Sequence, residues 1–351
     1  MSGDWMIYGA NGYTGALIAR EAARRGLKPV LAGRDRARIE ALAAELGLQH
    51  RVFALGAPAV TAQHLRDIAL VLHCAGPFSA TAAPMMAACL LACTHYLDIT
   101  GEIDVFEHAQ SLDRQAREAG IVLCPGVGFD VIPTDCVAAA LKQALPDATT
   151  LALGFDTRSR LSPGTARTTV EGLALGGRIR RGGRIVSVPL AHETRRIDFG
   201  HGEKLAMAIA WGDVSTAFHS TGIPDISVFV PTSPRTVRAA RVANFLRPVL
   251  RMPGVQRVLK RRIGNRAIGP DAEQRERSPS FVWGEARNAA GQRRTARIRT
   301  ANGYALTVTG SLAVAQHVLD TAPAGGAYTP SGLAGADLVQ RLPGSGPLVI
   351  D

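Results

Sequence analysis

Met6-Ile7-Tyr8-Gly9-Ala10-Asn11-Gly12-Tyr13-Thr14-Gly15 is the stretch that decides the fold of this chain. Its apolar start predicts a short strand, and its three glycines lead into a helical stretch, Ala16 to Arg25. In such a turn the first glycine permits the bend, the second lets a pyrophosphate approach the helix N-terminus, and the third allows close helix packing. The sequence therefore predicts a dinucleotide-binding turn, with a tight turn that binds nothing as the alternative. The predicted cofactor contacts are Gly9, Ala10, Asn11, Gly12, Tyr13, Thr14 and Gly15.

A second apolar strand, Pro29 to Ala32, follows at the distance of a βαβ unit and ends in Gly33-Arg34-Asp35. A carboxylate at this position binds a ribose 2′-OH, whereas an arginine accommodates a 2′-phosphate. Arg34 therefore favours NADP(H) over NAD(H), and Asp35 is the residue that would favour NAD(H). We predict that Gly33, Arg34 and Asp35 all contact the cofactor.

Length and composition fit a soluble enzyme, and the chain is long enough for two domains. The chain has 351 residues, of which 46% are hydrophobic, enough for a sizeable core. Asp4 stands directly before the first strand, which does not fit a signal peptide, and the longest apolar run, Ala82 to Cys93, is too short to cross a bilayer. We expect a cytoplasmic protein. Its five cysteines form no C-x-x-C pair, so we expect reduced thiols and no metal site.

The net charge of +11 is concentrated in residues 235–299. Within this segment, apolar residues recur near helical spacing between arginines, which predicts a basic helical excursion over 235–270. Three interpretations remain open: a solvated or dimer-facing helix, a surface for an anionic substrate or carrier, and a helix in peripheral contact with an anionic membrane. No recognition module surrounds the charge, so we expect no nucleic acid partner.

Strand and helix patterns alternate over the first 130 residues, which predicts an α/β fold with a doubly wound parallel sheet. The predicted strands are Trp5–Tyr8, Pro29–Ala32, Ala69–Cys74, Tyr96–Asp98 and Val122–Cys124. Ligands of such sheets lie beyond the carboxyl ends of the strands. The turns at those ends are therefore where the chemistry is expected.

Three of these turns carry candidate site residues. The first supplies small residues that would let the backbone approach the cofactor: Cys74, Ala75, Gly76, Pro77 and Phe78. In the other two, Gly126 and Gly128 are predicted cofactor contacts, and Tyr96 and Asp130 are the candidate catalytic residues. The structural alternative for Tyr96 is a turn stabiliser. We interpret His73 as a core histidine and not as a catalyst.

Several motifs together resemble the saccharopine dehydrogenase-like oxidoreductases, and within them most closely the bacterial branch that includes trans-acting enoyl reductases. The motifs in the first 130 residues are Gly9–Gly15, Ala32–Arg34, Cys74–Phe78, Tyr96–Glu102 and Pro125–Asp130. Those further along the chain are Trp211–Thr216, Ser220–Pro224 and Tyr328–Gly332. The resemblance thus extends over most of the chain.

The resemblance implies a Rossmann NADP-binding domain over residues 1–130 and a mixed α+β substrate and dimerisation domain over 131–329. It also implies a C-terminal helix, about 330–351, that packs back on the first domain. Gly164 and Thr165 would contribute to the site from the second domain. A homodimer is the expected assembly.

For function, the resemblance implies that NADPH delivers a hydride to an enoyl C=C bond of a hydrophobic or carrier-linked substrate, in a cleft between the domains. Tyr96 or Asp130 would donate or relay the proton, directly or through a water. Reduction of an imine C=N bond, as in an amino-acid dehydrogenase, would use the same geometry. A protein that binds NADP(H) at a membrane surface without turnover is the alternative from another class.

Overall fold

The fold is described from a computed structural model. It describes residues 4–157, 176–250, 252, 254–255 and 278–351, and within 246–250 it describes the backbone only. The chain divides into two compact units. The first comprises the residues up to Ile132 together with Tyr304–Gly335, and the second comprises Pro133–Gly303 together with Ala336–Asp351.

The first unit contains a seven-stranded sheet whose described pairings are all parallel. Its strands are β1 (Asp4–Tyr8), β2 (Val30–Gly33), β3 (His50–Val52), β4 (Ile68–His73), β5 (His95–Asp98), β6 (Val122–Cys124) and β15 (Gly326–Ala327). Their order across the sheet is β15-β6-β5-β4-β1-β2-β3. The chain adds β2 and β3 on one side of β1 and then crosses to add β4, β5 and β6 on the other side, so the strand order reverses between β1 and β4. Ligands of doubly wound sheets lie beyond the carboxyl ends at such a reversal.

Helices alternate with the strands of this sheet along the chain. They are α1 (Tyr13–Arg24), α2 (Arg36–Leu46), α3 (Pro58–Gln63), α4 (Phe78–Ala92), α5 (Ile103–Ser111), α6 (Asp113–Ala119), α10 (Gly303–Thr321) and α11 (Pro330–Ala334). Strands β1, β2, β4, β5 and β6 are almost wholly buried, as expected for a parallel sheet covered on both faces. The prediction of a doubly wound parallel sheet is confirmed.

Two strands of this sheet were missed by the sequence patterns. The edge strand β3 has only three residues, none of them fully buried, and β15 has two. A period of two residues cannot be recognised in segments this short. β15 is also far from its partner β6 in the sequence, with Gly326 paired to Val122.

The second unit contains a mixed sheet of the order β10-β11-β12-β7-β13-β14-β16, with β8 and β9 attached beside β12. Its strands are β7 (Ala148–Asp156), β8 (Gly177–Arg181), β9 (Arg184–Val188), β10 (Thr194–Asp198), β11 (Glu203–Ile209), β12 (Asp225–Pro231), β13 (Ser280–Asn288), β14 (Arg293–Thr300) and β16 (Val349–Ile350). The helices of this unit are α7 (Ile132–Ala144), α8 (Asp213–Thr221), α9 (Pro234–Leu250) and α12 (Leu338–Arg341). The predicted mixed α/β character of this part is confirmed.

The C-terminal part differs from the prediction. A single helix over 330–351 is wrong, because two short helices are followed by β16, which pairs with β14 in the second unit. Gly335 and Gly344 adopt φ values of 92° and 80°, which end helical structure. The domain bounds predicted from the sequence place residues 304–329 in the second domain, whereas these residues, with most of the long helix α10, belong to the first unit.

Among the described residues, no helix is both long and apolar enough to span a membrane. The predicted contributors Gly164 and Thr165 lie outside the described residues. Of the basic excursion predicted over 235–270, the structure describes α9 and three further residues.

Candidate active site

Gly9 forms the bend after β1 and adopts a left-handed φ of 81°. Its N–H donates to the carbonyl oxygen of Ala32 at 2.7 Å, which ties the bend to the end of β2. A Cβ at Gly9 would lie only 2.7 Å from the backbone nitrogen of Ala75. Both the backbone conformation and the close approach of the loop after β4 therefore require glycine here.

Gly15 and Gly12 have different surroundings. A Cβ at Gly15, in the first turn of α1, would overlap the carbonyl oxygen of Gly9, so this glycine permits close packing of α1 on the turn. Gly12 is exposed, and a Cβ there would meet only the Gly9 oxygen, at 3.2 Å. Gly12 is the N-cap of α1, and no side chain caps the helix among the described residues. A helix N-terminus without a side-chain cap favours the binding of an anion.

Three other residues of this turn contact neighbouring segments of the first unit. Ala10 is buried, and its N–H also donates to Ala32, at 3.1 Å. The side-chain oxygen of Asn11 lies against Gly33, where a Cβ would be 2.9 Å away. Tyr13 packs edge-on against Tyr304 of α10 with ring centroids 5.2 Å apart. Thr14, like Tyr13, remains partly exposed.

The two residues after β2 are engaged differently. Asp35 is the N-cap of α2: it accepts a hydrogen bond from the backbone N–H of Arg38 at 3.2 Å and forms an ion pair with the Arg38 side chain at 3.5 Å. Arg34 is exposed and forms no hydrogen bond or ion pair with the described residues. The carboxylate therefore already has a structural role, whereas the guanidinium is available to a ligand.

The loop Cys74–Phe78 lies beside the glycine turn and is fixed from three sides. The Cys74 N–H donates to the Tyr8 carbonyl at 2.7 Å. The Thr81 hydroxyl donates to the Ala75 carbonyl at 2.6 Å. The Phe78 N–H donates to Oε1 of Glu102 at 3.1 Å. Gly76 and Pro77, at the tip of the loop, are exposed and positioned to contact a ligand.

Tyr96 and Asp98 are fully buried at the end of β5. The Tyr96 hydroxyl donates to Oδ2 of Asp98 at 2.6 Å, and Oδ1 accepts from the N–H groups of Thr100 and Gly126, each at 2.9 Å. Burial raises the pKa of Asp98 to about 6 although these bonds oppose the shift, and burial raises the pKa of Tyr96 well above its usual value. The pair holds two loops together, which fits the turn-stabilising alternative for Tyr96 better than direct proton donation.

Asp130 is the partly exposed carboxyl of the site. It lies against Gly101, where a Cβ would be 2.9 Å from its Oδ2, so glycine leaves room for this side chain. Crowding by protein atoms raises the pKa of Asp130 to about 6, because the charged form loses solvation. A carboxyl with this pKa carries its proton in a useful fraction of molecules near neutral pH and is able to act as an acid.

Gly126 and Gly128 are buried, unlike Gly12 and Gly76. A Cβ at Gly126, whose φ is 79°, would lie 2.7 Å from the Val131 side chain. A Cβ at Gly128 would lie 3.0 Å from Thr307 of α10. Packing within the protein is sufficient reason for glycine at both positions, and their contact with a cofactor stays a prediction.

His73 lies in the core, as interpreted from the sequence. Its Nε2 is 3.0 Å from the Thr81 hydroxyl, and its Nδ1 has no hydrogen-bond partner among the described residues. Burial lowers its pKa to about 3, so the ring is neutral at physiological pH. It packs near Tyr8, Phe78 and Tyr96, with ring centroids between 5.5 and 6.1 Å away.

Sequence reasoning missed four residues that shape this site: Thr81, Glu102, Tyr304 and Thr307. Thr81 follows the loop Cys74–Phe78, and Glu102 is the last residue of the predicted turn Tyr96–Glu102, but only their hydrogen bonds to the Cys74–Phe78 loop show what they do. Thr307 accepts from the Phe129 N–H at 3.0 Å across a separation of 178 residues. No local pattern could have placed α10 against this loop.

The second unit has its own cavity of about 400 Å³. It is lined largely by polar and charged residues, among them Arg180, Arg181, Arg195, Arg287, His192, Glu193, Asp225 and Glu285. Glu285 forms ion pairs with Arg195 at 2.6 Å and Arg287 at 2.9 Å, which lower the pKa of its carboxyl against the opposing effect of burial. None of the sequence-predicted site residues lines this cavity.

Residues 5–124 match the family model of the saccharopine dehydrogenase NADP binding domain. The chain is therefore similar to the saccharopine dehydrogenase-like oxidoreductases over this part of its length. The matched residues span the glycine turn, Arg34 and the loop Cys74–Phe78, so the predicted family resemblance is confirmed.

Two mycobacterial relatives of this chain share the name trans-acting enoyl reductase. A Mycobacterium tuberculosis protein described as a candidate trans-acting enoyl reductase is 34% identical over 149 residues, which cover 40% of this chain and 36% of that protein. A Mycobacterium bovis trans-acting enoyl reductase is 28% identical over 212 residues, covering 55% of this chain and 50% of that protein. The matches thus span half or less of these relatives.

A solved structure matches over nearly the whole length. Apo saccharopine dehydrogenase (L-Glu forming) from Saccharomyces cerevisiae covers 96% of this chain and is itself covered to 96%, with a TM-score of 0.65 and 12% sequence identity. At this identity the match shows that the two proteins share a fold, and no more.

Proposed function

We propose that this chain is an NADPH-dependent reductase that adds a hydride and a proton to an enoyl C=C bond of a hydrophobic or carrier-linked substrate. The names of the mycobacterial relatives support the choice of an enoyl bond. The observation that supports NADPH as the cofactor is the N-terminus of α1, where the N-cap Gly12 is exposed and no described side chain caps the helix. A helix end of this kind is suited to a pyrophosphate.

The residues around this helix end fit a dinucleotide with a 2′-phosphate. Gly9 and Gly12 would hold the pyrophosphate against backbone N–H groups, because neither presents a side chain that blocks it. Arg34 would bind the 2′-phosphate, since its guanidinium is exposed while the neighbouring Asp35 caps α2. The exposed tip of the loop Cys74–Phe78 would lie along the ribose and nicotinamide.

A bound NADPH supplies the hydride for the reaction. The protein must then supply a proton to the other end of the double bond, and Asp130 is the group best suited to do so. Its carboxyl is partly exposed, beside Gly101, and its pKa is raised to about 6. Tyr96 would act as a positioning residue, because its hydroxyl is bonded to Asp98.

The test is reduction of acceptors by the purified full chain with NADPH, followed by the loss of nicotinamide absorbance. We expect an α,β-unsaturated thioester to be reduced, and the rate to fall roughly tenfold per pH unit above about pH 6–7 as Asp130 loses its proton. Asp130→Asn should lower kcat by roughly 10²-fold or more and remove this slope. NADPH affinity should stay unchanged in this variant.

A cyclic imine serves as the second acceptor in the same assay. Turnover of the imine and not of the thioester would replace the enoyl assignment with C=N reduction. An unchanged kcat and pH profile in Asp130→Asn would remove Asp130 from the proton-donor role. If NADPH binds and neither acceptor reacts, the proposed reaction is wrong.

A further inference from the structure

The helix α9 lies on the second unit with one face inward. Val237 on that face is only 6% exposed. Asn244, two turns later, makes two hydrogen bonds with the backbone of Leu190: its Oδ1 accepts from the N–H at 2.8 Å and its Nδ2 donates to the carbonyl at 3.1 Å. These contacts fix which side of the helix faces outward.

The outward face combines arginines with large apolar side chains. Arg235, Arg238 and Arg241 are exposed, and Val242 and Phe245 are 60% and 85% exposed. Residues three and four apart are neighbours on a helix surface, so Val242 lies beside Arg238 and Phe245 beside Arg241. We refer to these five residues as the arginine–phenylalanine face.

Within the part of the chain that the structure describes, no carboxylate pairs with the arginines of this face. Residues 234–250 contain four arginines and no acidic residue, and the three arginines of the face form no ion pair with the described residues. On α1 and α2, by contrast, the arginines Arg20, Arg24, Arg25, Arg36 and Arg38 all pair with a carboxylate. The arginine–phenylalanine face therefore offers an unusual combination of open positive charge and exposed hydrocarbon.

We propose that the arginine–phenylalanine face docks on an anionic phospholipid surface. Phe245 and Val242 would insert at the boundary between headgroups and acyl chains, and the arginines would lie against lipid phosphates. This is how a basic amphipathic helix binds in the plane of a membrane. The proposal goes beyond the reductase function and does not depend on it.

Charge favours lipid over a second copy of the chain as the occupant. A two-fold contact through this face would place its arginines opposite the same arginines of the other subunit. A nucleic acid would match the charge, but it would give Val242 and Phe245 no apolar environment. An anionic membrane satisfies both properties of the face.

The test is cosedimentation of the full chain with vesicles of phosphatidylcholine, with and without phosphatidylglycerol. We expect binding to the anionic vesicles only, with loss at high salt because the charges are then screened. Phe245→Ser and the double variant Arg238→Glu/Arg241→Glu should each lower vesicle partitioning at least tenfold. The matched controls are Val60→Ser and Arg114→Glu, which change exposed side chains on α3 and α6 and should leave binding unchanged.

Far-UV circular dichroism and thermal unfolding of each variant verify that the protein remains folded. Equal binding to neutral vesicles, or loss of binding in the controls to the same extent, would overturn the proposal. A dimer in gel filtration that Phe245→Ser dissociates would assign the face to a second copy instead. Binding of a DNA duplex, with no binding of anionic vesicles, would assign it to nucleic acid.

Discussion

The turn Gly9–Gly15 and the loop Tyr96–Glu102 both follow strands of the same parallel sheet, and both supplied candidate site residues. In the turn, Gly12 is exposed and leaves helix N–H groups open. In the loop, Tyr96 and Asp98 are buried, and their polar atoms bond to each other and to neighbouring backbone. The first region has an exposed backbone at the start of α1, and the second uses side chains to hold the backbone in place.

This difference teaches that a family motif can combine two physical roles. A residue that contacts a ligand can be changed at little cost to folding, because its partner is absent from the free protein. A buried residue with several hydrogen bonds cannot, because its loss leaves unpaired groups in the core. Substitutions in the exposed part of the turn Gly9–Gly15 should therefore affect mainly cofactor binding, and substitutions in the loop Tyr96–Glu102 should affect mainly folding.

The largest effect is expected for Asp98→Ala. This change would leave the Tyr96 hydroxyl and the N–H groups of Thr100 and Gly126 without their acceptor. We expect a loss of roughly 4 kcal/mol in the free energy of unfolding, measured by urea denaturation. Tyr96→Phe, which removes one of the three bonds, should cost only about 1–2 kcal/mol. Equal losses in the two variants would contradict the described role of Asp98.

A somewhat smaller loss is expected for Gly15→Val, because its Cβ would overlap the Gly9 carbonyl. We expect the free energy of unfolding to fall by about 3 kcal/mol and NADPH binding to be lost. The matched change Gly12→Ala should alter the free energy of unfolding by less than about 1 kcal/mol. It should still weaken NADPH binding at least tenfold, since the new methyl group stands where the pyrophosphate would approach. Unaltered NADPH affinity in Gly12→Ala would argue against this position for the pyrophosphate.

The smallest effect on folding is expected for Arg34→Ala. We expect unchanged thermal unfolding, because Arg34 has no hydrogen bond or ion pair among the described residues. NADPH affinity should fall by roughly 10- to 100-fold while NADH affinity stays the same, as judged by nicotinamide fluorescence. Arg36→Ala is the control, because Arg36 is exposed but pairs with Glu40 at 2.9 Å. If NADPH affinity is equal in both variants, Arg34 does not bind the 2′-phosphate.

Local patterns in the sequence predicted five of the seven strands of the first sheet. The strand before Gly9, the bend itself and the helix after it each follow from neighbouring residues, as do the position of Arg34 and the burial of His73. Short-range sterics and hydrophobic periodicity determine these features. They could therefore be predicted without knowledge of the rest of the chain.

Features that depend on distant contacts could not be predicted. Thr307 joins the first unit through a hydrogen bond to Phe129, and β15 pairs with β6, yet nothing near either segment indicates its partner. The role of Tyr96 was ambiguous for a related reason. Its spacing from Asp98 is visible in the sequence, but the bond between them depends on side-chain directions at the end of β5.

The contact between Gly9 and Ala75 limits how this protein can be redesigned. A side chain at position 9 would clash with the backbone of residue 75. A larger residue in the turn therefore requires the loop Cys74–Phe78 to move away as well. Gly76 offers more freedom, since a Cβ there would come no closer than 3.7 Å, to the ring of Phe78. A library that varies position 76 alone should yield folded proteins with altered ligand selectivity, whereas position 9 would tolerate change only in concert with its neighbour.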